Sequence, residues 1–145
     1  MNENDILPRM IEDHNKIEKL MDSFEKDIDK DYELLKKSFQ KFEWKLEKHI
    51  FIEEKVIFTN YNPEDVTEGY RMLPELTKQH NFILNQLSLW RKELANTSKV
   101  EGFYKFKKLL VNHKIFEENQ VYPKLDQSLT ESDKKLIINR LDEIK

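Results

Sequence analysis

The residues best suited to carry chemistry in this sequence are its histidines, which are few and regularly placed. The chain of 145 residues contains four of them: His14, His49, His80 and His113. Two are followed four positions later by a glutamate, which gives the pairs His49/Glu53 and His113/Glu117. Residues four apart lie on one face of an α-helix, about 6 Å apart along its axis. Each pair therefore offers an imidazole and a carboxylate in the same direction.

These side chains form a set of nitrogen and oxygen donors. All four histidines lie in apolar stripes at helical spacing, where an unpaired carboxylate is costly to bury. A bound cation removes that cost, and imidazole with carboxylate suits iron, manganese or zinc. The pattern therefore predicts a metal centre with six ligands: His14, His49, Glu53, His80, His113 and Glu117. Two carboxylates among four histidines indicate two carboxylate-bridged metals with two histidines each.

An internal repeat predicts that the two halves of this ligand set converge. A shift of 66 residues places His14-Asn15 on His80-Asn81, and a shift of 64 places His49 on His113. The second shift also matches Phe39 with Phe103, Phe42 with Phe106, Leu46 with Leu110, Glu53-Glu54 with Glu117-Glu118 and Phe58 with Tyr122. Two similar helical hairpins would pack around a pseudo-two-fold axis and bring the histidines to one place.

Helical periodicity with little glycine or proline predicts the elements that hold these residues. Four long helices are expected: residues 5–28, 32–58, a third that ends near Leu94, and 98–122. We expect a turn cluster at residues 60–65, a short helical turn at 64–72 and an irregular point between Gly69 and Pro74.

The remaining signals concern the helix ends. Ser98 is predicted to help cap the fourth helix, and Pro123 to end or kink it. Thr130 and Asp133 resemble the capping signal of a short fifth helix. The predicted fold is all-α, an antiparallel up-down-up-down four-helix bundle with a short C-terminal fifth helix. It forms one domain over residues 1–145, with the bundle at about 5–125 and the last helix at about 130–145.

Residues near the predicted ligands have plainer interpretations. We expect Trp44 and Trp90 in the core. Glu54 and Glu118 are expected to support the ligands or lie at the surface rather than bind metal. The residues that precede the lone histidines, Glu12, Asp13 and Gln79, are expected on the outer face of their helices, with contacts to the ligands as the less favoured alternative. Glu18, four positions after His14, is expected to be partly solvated.

Composition excludes several function classes. The absence of cysteine excludes disulfides, cysteine-bound clusters and thiol nucleophiles, and two glycines exclude a glycine-rich phosphate loop. A formal charge of −3 with interspersed signs argues against a nucleic-acid surface. The start of the chain lacks a signal-peptide pattern and no apolar run is long enough for a membrane span, so we expect a cytoplasmic protein with neither nucleic-acid nor membrane partners.

The sequence resembles the hemerythrin-like proteins, the HHE cation-binding domains. The resemblance rests on Asp-His-Asn at His14, Gln-His-Asn at His80, and the segments His49-Ile-Phe-Ile-Glu53-Glu and His113-Lys-Ile-Phe-Glu117-Glu. It implies an antiparallel four-helix bundle with a non-haem di-iron centre. Members bind dioxygen, or sense, store or detoxify oxygen, nitric oxide, peroxide or iron. Ferritin-like bundles match less well, because their Glu-x-x-His motif is absent here.

The resemblance leads to a specific hypothesis. His14 and His49 would bind one iron, His80 and His113 the other, and Glu53 and Glu117 would bridge them, with zinc or manganese as other possible metals. The chain departs from the oxygen carriers of the family at one position, where Leu76 replaces an additional histidine. Two histidines per metal make a more open site and favour redox, nitric oxide or iron-handling roles over reversible oxygen carriage.

Three function hypotheses follow. The first is a di-iron protein that binds dioxygen or another small diatomic or redox ligand, in oxygen binding, sensing or iron handling. The second is a di-iron redox enzyme acting on peroxide or nitric oxide, or an iron donor for damaged iron centres. The third is a metal-free helical interaction domain. The sequence does not identify a protein partner.

Overall fold

The structure, a computed structural model, describes residues 5–60 and 66–144, with side chains described for 5–59 and 73–143. Its α-helices are α1 (Ile6–Asp27), α2 (Tyr32–Ile52), α3 (Val66–Ala95), α4 (Phe103–Phe116), α5 (Tyr122–Ser128) and α6 (Glu131–Ile144). No strand occurs among the described residues, and the predicted all-α bundle is confirmed. Residues 61–65 of the predicted turn cluster lie outside the described residues.

Both α2 and α4 continue into a π-helical turn, which the sequence analysis did not predict. The two turns span Glu53–Ile57 and Glu117–Val121, so each begins at a predicted ligand. The backbone amides of Phe58 and Tyr122 donate to the carbonyls of Glu53 and Glu117, five residues earlier. A π turn contains more residues than an α turn and therefore changes which downstream side chains face inward.

Helix α3 corrects the irregular point predicted between Gly69 and Pro74. The helix runs without interruption from Val66 to Ala95, with Pro74 inside it. Proline removes one backbone hydrogen bond from a helix interior. Leu73 and Leu76 on either side of Pro74 pack into one apolar cluster, and this packing holds the helix together across the proline.

The start of α4 also differs from the prediction. The helix begins at Phe103 rather than near Ser98, after Gly102 with a positive φ of 79°, and no side chain caps it. Trp90 Nε1 donates to the carbonyl of Glu101 at 2.8 Å, which fixes the preceding connection. The predicted end or kink at Pro123 coincides with the boundary between the π turn at Glu117–Val121 and α5, where Pro123 lies in the first turn and its missing amide needs no partner.

Two apolar clusters occupy the two ends of the bundle interior. The first cluster, which we call the aromatic cluster, includes Phe24, Phe39, Phe42, Trp90, Phe103 and Phe106. The second, the end cluster, includes Ile6, Met10, Ile57, Leu76, Val121, Tyr122, Leu125 and Ile137. Along each of α1 to α4 the chain passes from one cluster to the other in alternating direction, as an up-down-up-down bundle requires. The four histidines lie between the clusters.

The C-terminal helices close the bundle at the end cluster. The backbone amides of Ile6 and Leu7 donate to Asp126 of α5 at 2.6 and 3.0 Å, so a carboxylate distant in sequence caps α1. The amide of Asp133 donates to the hydroxyl of Thr130 at 3.1 Å, which confirms the predicted cap of α6. No helix among the described residues is long and apolar enough to cross a membrane.

Only one of the two tryptophans lies in the core. Trp90 is fully buried, as predicted. Trp44 is 64% exposed, so its assignment to the core was wrong. Its indole instead lies beneath the ammonium of Lys48, 4.8 Å from the ring centroid, at the surface of α2.

Candidate metal centre

The structure brings the six predicted ligands together in the bundle interior. Each side chain is at most 5% exposed, and both glutamates are fully buried. Glu117 Oε1 lies 3.1 Å from His14 Nε2, 3.2 Å from His113 Nε2 and 3.8 Å from His49 Nε2. Glu53 Oε1 lies 2.9 Å from His49 Nε2 and 3.5 Å from His80 Nε2. Each carboxylate therefore lies between histidines of different hairpins.

Two groups of potential ligand atoms can be separated within this centre. One group comprises Glu53, His80, His113 and Glu117, and the other His14, His49 and Glu117, with the atoms of each group within 4.8 Å of one another. The histidines divide into the same pairs that the sequence analysis proposed, and Glu117 is shared. Two adjacent cations with a common carboxylate would fit this division, and ligation itself stays a prediction.

A second layer of side chains orients the imidazoles. The Nδ1 atom of every histidine faces a side-chain oxygen: Glu118 at 2.7 Å from His14, Asp13 at 2.6 Å from His49, Glu54 at 2.9 Å from His80, and Gln79 at 2.5 Å from His113. Carboxylate and amide oxygens only accept, so each Nδ1 carries the proton and donates it. In the neutral imidazoles the lone pair of Nε2 then faces the centre, as metal ligation requires.

This second layer partly corrects the sequence analysis. Asp13 and Gln79 were expected on outer faces, yet both contact histidines across the helix interface. The sequence signal was their position directly before the lone histidines, which the helical period turns toward the neighbouring helix. Glu54 and Glu118 support the ligands, one of the two roles expected for them.

Several atoms that face the centre lack a hydrogen-bond partner. Among the described residues, the buried atoms Glu53 Oε1, His80 Nε2 and Glu117 Oε2 make no hydrogen bond of acceptable geometry. Leaving a buried polar atom unsatisfied costs roughly 1–3 kcal/mol, and more for a charged group. A cation would satisfy all three atoms, and the surrounding nitrogen and oxygen donors fit iron, zinc or manganese. The residues present therefore fit a metal.

The charges of the centre are coupled. Burial would raise the pKa of Glu53, but the nearby charges of His49 and His80 hold that pKa well below its usual value. Burial acts to lower the pKa of His49, yet Glu53 and Asp13 outweigh it and raise the pKa to about 9. Burial dominates at His113 and lowers its pKa to about 3. Glu53 thus stays negative, while His49 and His113 differ in proton affinity.

Tyr122 is a site residue that the sequence analysis missed. Its hydroxyl donates to Glu53 Oε2 at 3.1 Å and lies 3.4 Å from His14 Nε2, and the side chain is fully buried. Burial, then the charge of Glu53, raises the pKa of Tyr122 well above its usual value, so the hydroxyl keeps its proton. The available signal was the repeat, where Tyr122 replaces Phe58 and adds a hydroxyl to an apolar position.

An apolar pocket of about 20 Å³ adjoins the centre. Four predicted ligands contribute to its lining, together with Ile17, Met21, Leu46, Ile50, Leu110 and Val111. Glu18 and Lys114, which form an ion pair between α1 and α4, complete the lining. Glu18 is 38% exposed at its side chain, in agreement with its expected partial solvation. A cavity of this volume holds about one water-sized molecule.

The fold and the site together define a helical-bundle, cation-binding type of protein with buried histidine and carboxylate donors. A family model described as "Hemerythrin HHE cation binding domain" matches residues 5–125. The chain therefore belongs to the hemerythrin HHE cation-binding domain family. A search of curated proteins and a search of solved structures each find no significant match.

Proposed function

We propose that this protein is a non-haem di-iron protein that binds dioxygen or another small diatomic or redox-active ligand. His14 and His49 would hold one iron, His80 and His113 the other, and Glu53 and Glu117 would bridge them. The observation that carries this proposal is the convergence of four imidazole Nε2 atoms on two fully buried carboxylates.

The donor set supports iron. With no cysteine in the chain, only nitrogen and oxygen ligands are available, and imidazole mixed with carboxylate suits iron in its common oxidation states. Zinc and manganese accept similar donors and are distinguished by metal analysis. When bound, a metal pair of this kind supplies Lewis acidity and electrons to a small ligand.

The pocket supports a small, uncharged ligand. Its volume of about 20 Å³ has room for a molecule about the size of water or of a diatomic, and the surface that its walls between α1, α2 and α4 expose is mostly apolar. Charged solutes would lose their hydration there without recovering it. Dioxygen and nitric oxide meet both conditions.

The position of Leu76 supports a centre with open coordination positions. The side chain is fully buried in the end cluster, to which Tyr122 and Ile57 also belong. No nitrogen donor is therefore available at the position where oxygen carriers of the family have an additional histidine. Two histidines per metal leave room for an exogenous ligand at either one.

Metal analysis with spectroscopy of the full chain tests the proposal. After anaerobic reconstitution with ferrous iron, we expect about two iron atoms per chain and an optical and Mössbauer spectrum that changes with air or nitric oxide. Iron well below one atom per chain would overturn the proposal. So would iron whose spectrum is the same under nitrogen, air and nitric oxide, and native zinc in a protein that rejects iron would identify a different metal.

Tyr122 favours a second candidate, a di-iron redox enzyme acting on peroxide or nitric oxide. Its hydroxyl oxygen lies 3.4 Å from His14 Nε2 and donates its proton to Glu53 Oε2, from which the proton could turn toward a group bound at the centre. Repeated turnover of peroxide or nitric oxide, with sharply reduced turnover in Tyr122→Phe, would support the enzyme. Stoichiometric binding without turnover would support the binding protein. An iron donor would instead transfer its iron to an iron-depleted acceptor protein.

A further inference from the structure

The second layer of the candidate metal centre is not symmetric. Three of the four histidines donate Nδ1–H to a carboxylate, and only His113 donates to an amide, that of Gln79. The carboxylate contacts of His14 and His80 follow the repeat, since Glu118 and Glu54 occupy equivalent positions, and a further departure at the centre is Tyr122 in place of Phe58. The amide is therefore a local departure from an almost two-fold arrangement.

The internal repeat shows which residues occupy equivalent positions behind His49 and His113. The shift of 66 residues that places His14 on His80 also places Asp13 on Gln79. Asp13 contacts His49 through Oδ2 at 2.6 Å, while its Oδ1 lies 2.5 Å from Lys45 Nζ. The shift of 64 places Lys45 on Leu109, which lines a surface groove together with Gln79 and His113. The charged pair of Asp13 and Lys45 behind His49 thus corresponds to the neutral pair of Gln79 and Leu109 behind His113.

The orientation of the Gln79 amide follows from its two partners. Its Nε2 donates to Glu75 Oε1 at 3.1 Å, which leaves Oε1 to accept from His113 Nδ1 at 2.5 Å. Glu75 is exposed, and its carboxylate lies behind the Gln79 amide as seen from His113. A carboxylate is therefore present in this half of the molecule, but it reaches His113 only through a neutral amide.

The difference matters for the nitrogen that faces the metal. A carboxylate that accepts from Nδ1–H raises the electron density and the donor strength of Nε2, and such partners typically change metal affinity 10–100-fold. An amide oxygen accepts the same hydrogen bond without the negative charge. His14 and His49 both have carboxylate partners, whereas His80 and His113 have one carboxylate and one amide between them.

We propose that the two metal positions are unequal, with the His14/His49 position binding metal more tightly, and that Gln79 sets this difference as a positioning residue acting through His113. The inference rests on the proposed two-metal centre. The His14/His49 position loads first and holds the more electron-rich metal.

A redox-silent metal tests the inference independently of iron and oxygen. The metal-free full chain is titrated with Zn²⁺ against a chromophoric chelator, while the histidine ring signals are followed by nuclear magnetic resonance. We expect two dissociation constants that differ about tenfold or more. The first equivalent of Zn²⁺ should shift the signals of His14 and His49, and the second those of His80 and His113.

The structure offers a charge-neutral variant that isolates Gln79. The double substitution Glu75→Gln/Gln79→Glu exchanges the two side chains, so that a carboxylate contacts His113 and an amide lies behind it. We expect the weaker constant to tighten about tenfold, the stronger one to stay unchanged, and the two pairs of histidine signals to shift together. Glu75→Gln alone is the matched control and should leave both constants within about twofold.

Asp13→Asn tests the same difference between the two dissociation constants at the His14/His49 position, because Asp13 contacts His49. It should weaken the stronger constant about tenfold and also bring the two constants together. Equal constants in the native chain would overturn the inference, as would a folded Glu75→Gln/Gln79→Glu variant with an unchanged weaker constant. A chain that binds no Zn²⁺ would overturn the two-metal centre itself. Unequal Zn²⁺ constants without any iron-dependent ligand binding would uphold this inference and overturn the proposed function.

Discussion

The four helices α1 to α4 bury two neighbouring groups of side chains, the apolar aromatic cluster and the polar candidate metal centre. In the aromatic cluster, the rings of six residues pack with centroids 4.7 to 6.4 Å apart, mostly tilted or edge-to-face. Its single polar atom, Trp90 Nε1, has a backbone acceptor at 2.8 Å. In the candidate metal centre six polar side chains are buried at similar depth, and three of their atoms lack a hydrogen-bond partner.

The comparison separates stability from chemistry within one bundle. Burial of aromatic rings is favourable without any outside partner. A cluster of buried imidazoles and carboxylates is favourable only when each charge and hydrogen bond is satisfied, and apolar replacements of such clusters are often neutral or stabilising. The aromatic cluster therefore holds the helices in place, and the metal centre depends on that support until a cation satisfies it.

The largest expected effect is the loss of the main side chain of the aromatic cluster. Trp90→Ala should lower the free energy of unfolding by about 3–5 kcal/mol, because it removes a fully buried indole that contacts four other rings. Trp44→Ala is the control and should change it by at most about 0.5 kcal/mol, since Trp44 is 64% exposed. Denaturant titration with and without metal measures both. A loss in Trp90→Ala that vanished on metal binding would contradict the separation of the two clusters.

The second expected effect concerns the metal centre alone. Glu117→Gln should weaken metal affinity more than about 100-fold, beyond the range of second-layer partners, because Oε1 lies close to histidines of both pairs. Glu118→Gln, one residue later, changes only the partner of His14 Nδ1 and should weaken metal affinity about tenfold. Metal content after dialysis and chelator competition measure the two variants. Equal losses of metal affinity in the two variants would contradict the assignment of Glu117 as a metal ligand.

The third expectation is a maximum in the stability of the metal-free protein near pH 6.5. The pKa of His49 is raised to about 9, so its stabilising contribution is complete below the unfolded pKa near 6.5 and is lost as pH rises toward 9. The pKa of His113 is lowered to about 3, so its contribution is complete above pH 6.5 and is lost as pH falls toward 3.

Thermal unfolding of chelator-treated protein between pH 4 and 9 measures this dependence. Replacement of His49 by glutamine should reduce the loss on the alkaline side, to which His80 also contributes because, against the effect of burial, Glu53 and Glu54 raise its pKa. Saturation with metal should also flatten that side, since a bound cation replaces the proton of His49. A stability that rose steadily to pH 9 without metal would contradict the charge assignment.

The last prediction concerns the Tyr122 hydroxyl, which the first repeat lacks. Tyr122→Phe makes the second repeat match Phe58 of the first and removes the hydrogen bond to Glu53 Oε2. We expect a loss of about 1–2 kcal/mol in the metal-free protein, because a buried carboxylate oxygen loses its donor. Tyr104→Phe, at a side chain 79% exposed, should be neutral. Equal unfolding curves for the two variants would contradict a role for the Tyr122 hydroxyl in the centre.

Much of the fold was predictable because it rests on periodicity. Apolar residues at three- and four-residue spacing predicted the helices, and the same period placed Glu53 on the face of His49 and Glu117 on the face of His113. The errors fall where tertiary contacts override local signals. Pro74 lies inside α3 because apolar packing on both sides holds the helix, and Trp44 lies on a face of α2 that the described helices leave largely exposed.

The second layer of the centre was less predictable for a different reason. The contacts of Asp13 with His49 and of Gln79 with His113 join residues on different helices. Their formation depends on the rotation and spacing of those helices, which side-chain spacing along one helix does not specify. An acidic residue or glutamine on a polar flank is ordinarily solvated.

The helical hairpins, the repeat and the six candidate ligands could be read from the order and spacing of residue types along the chain. The orientation of those ligands and the differences between the two halves depend on how the helices pack. The π turn at Glu117–Val121 carries Tyr122 inward to the centre, and the helix packing gives His49 a carboxylate and His113 an amide. Both depend on helix geometry and on contacts between helices, and neither is encoded by a period along the chain.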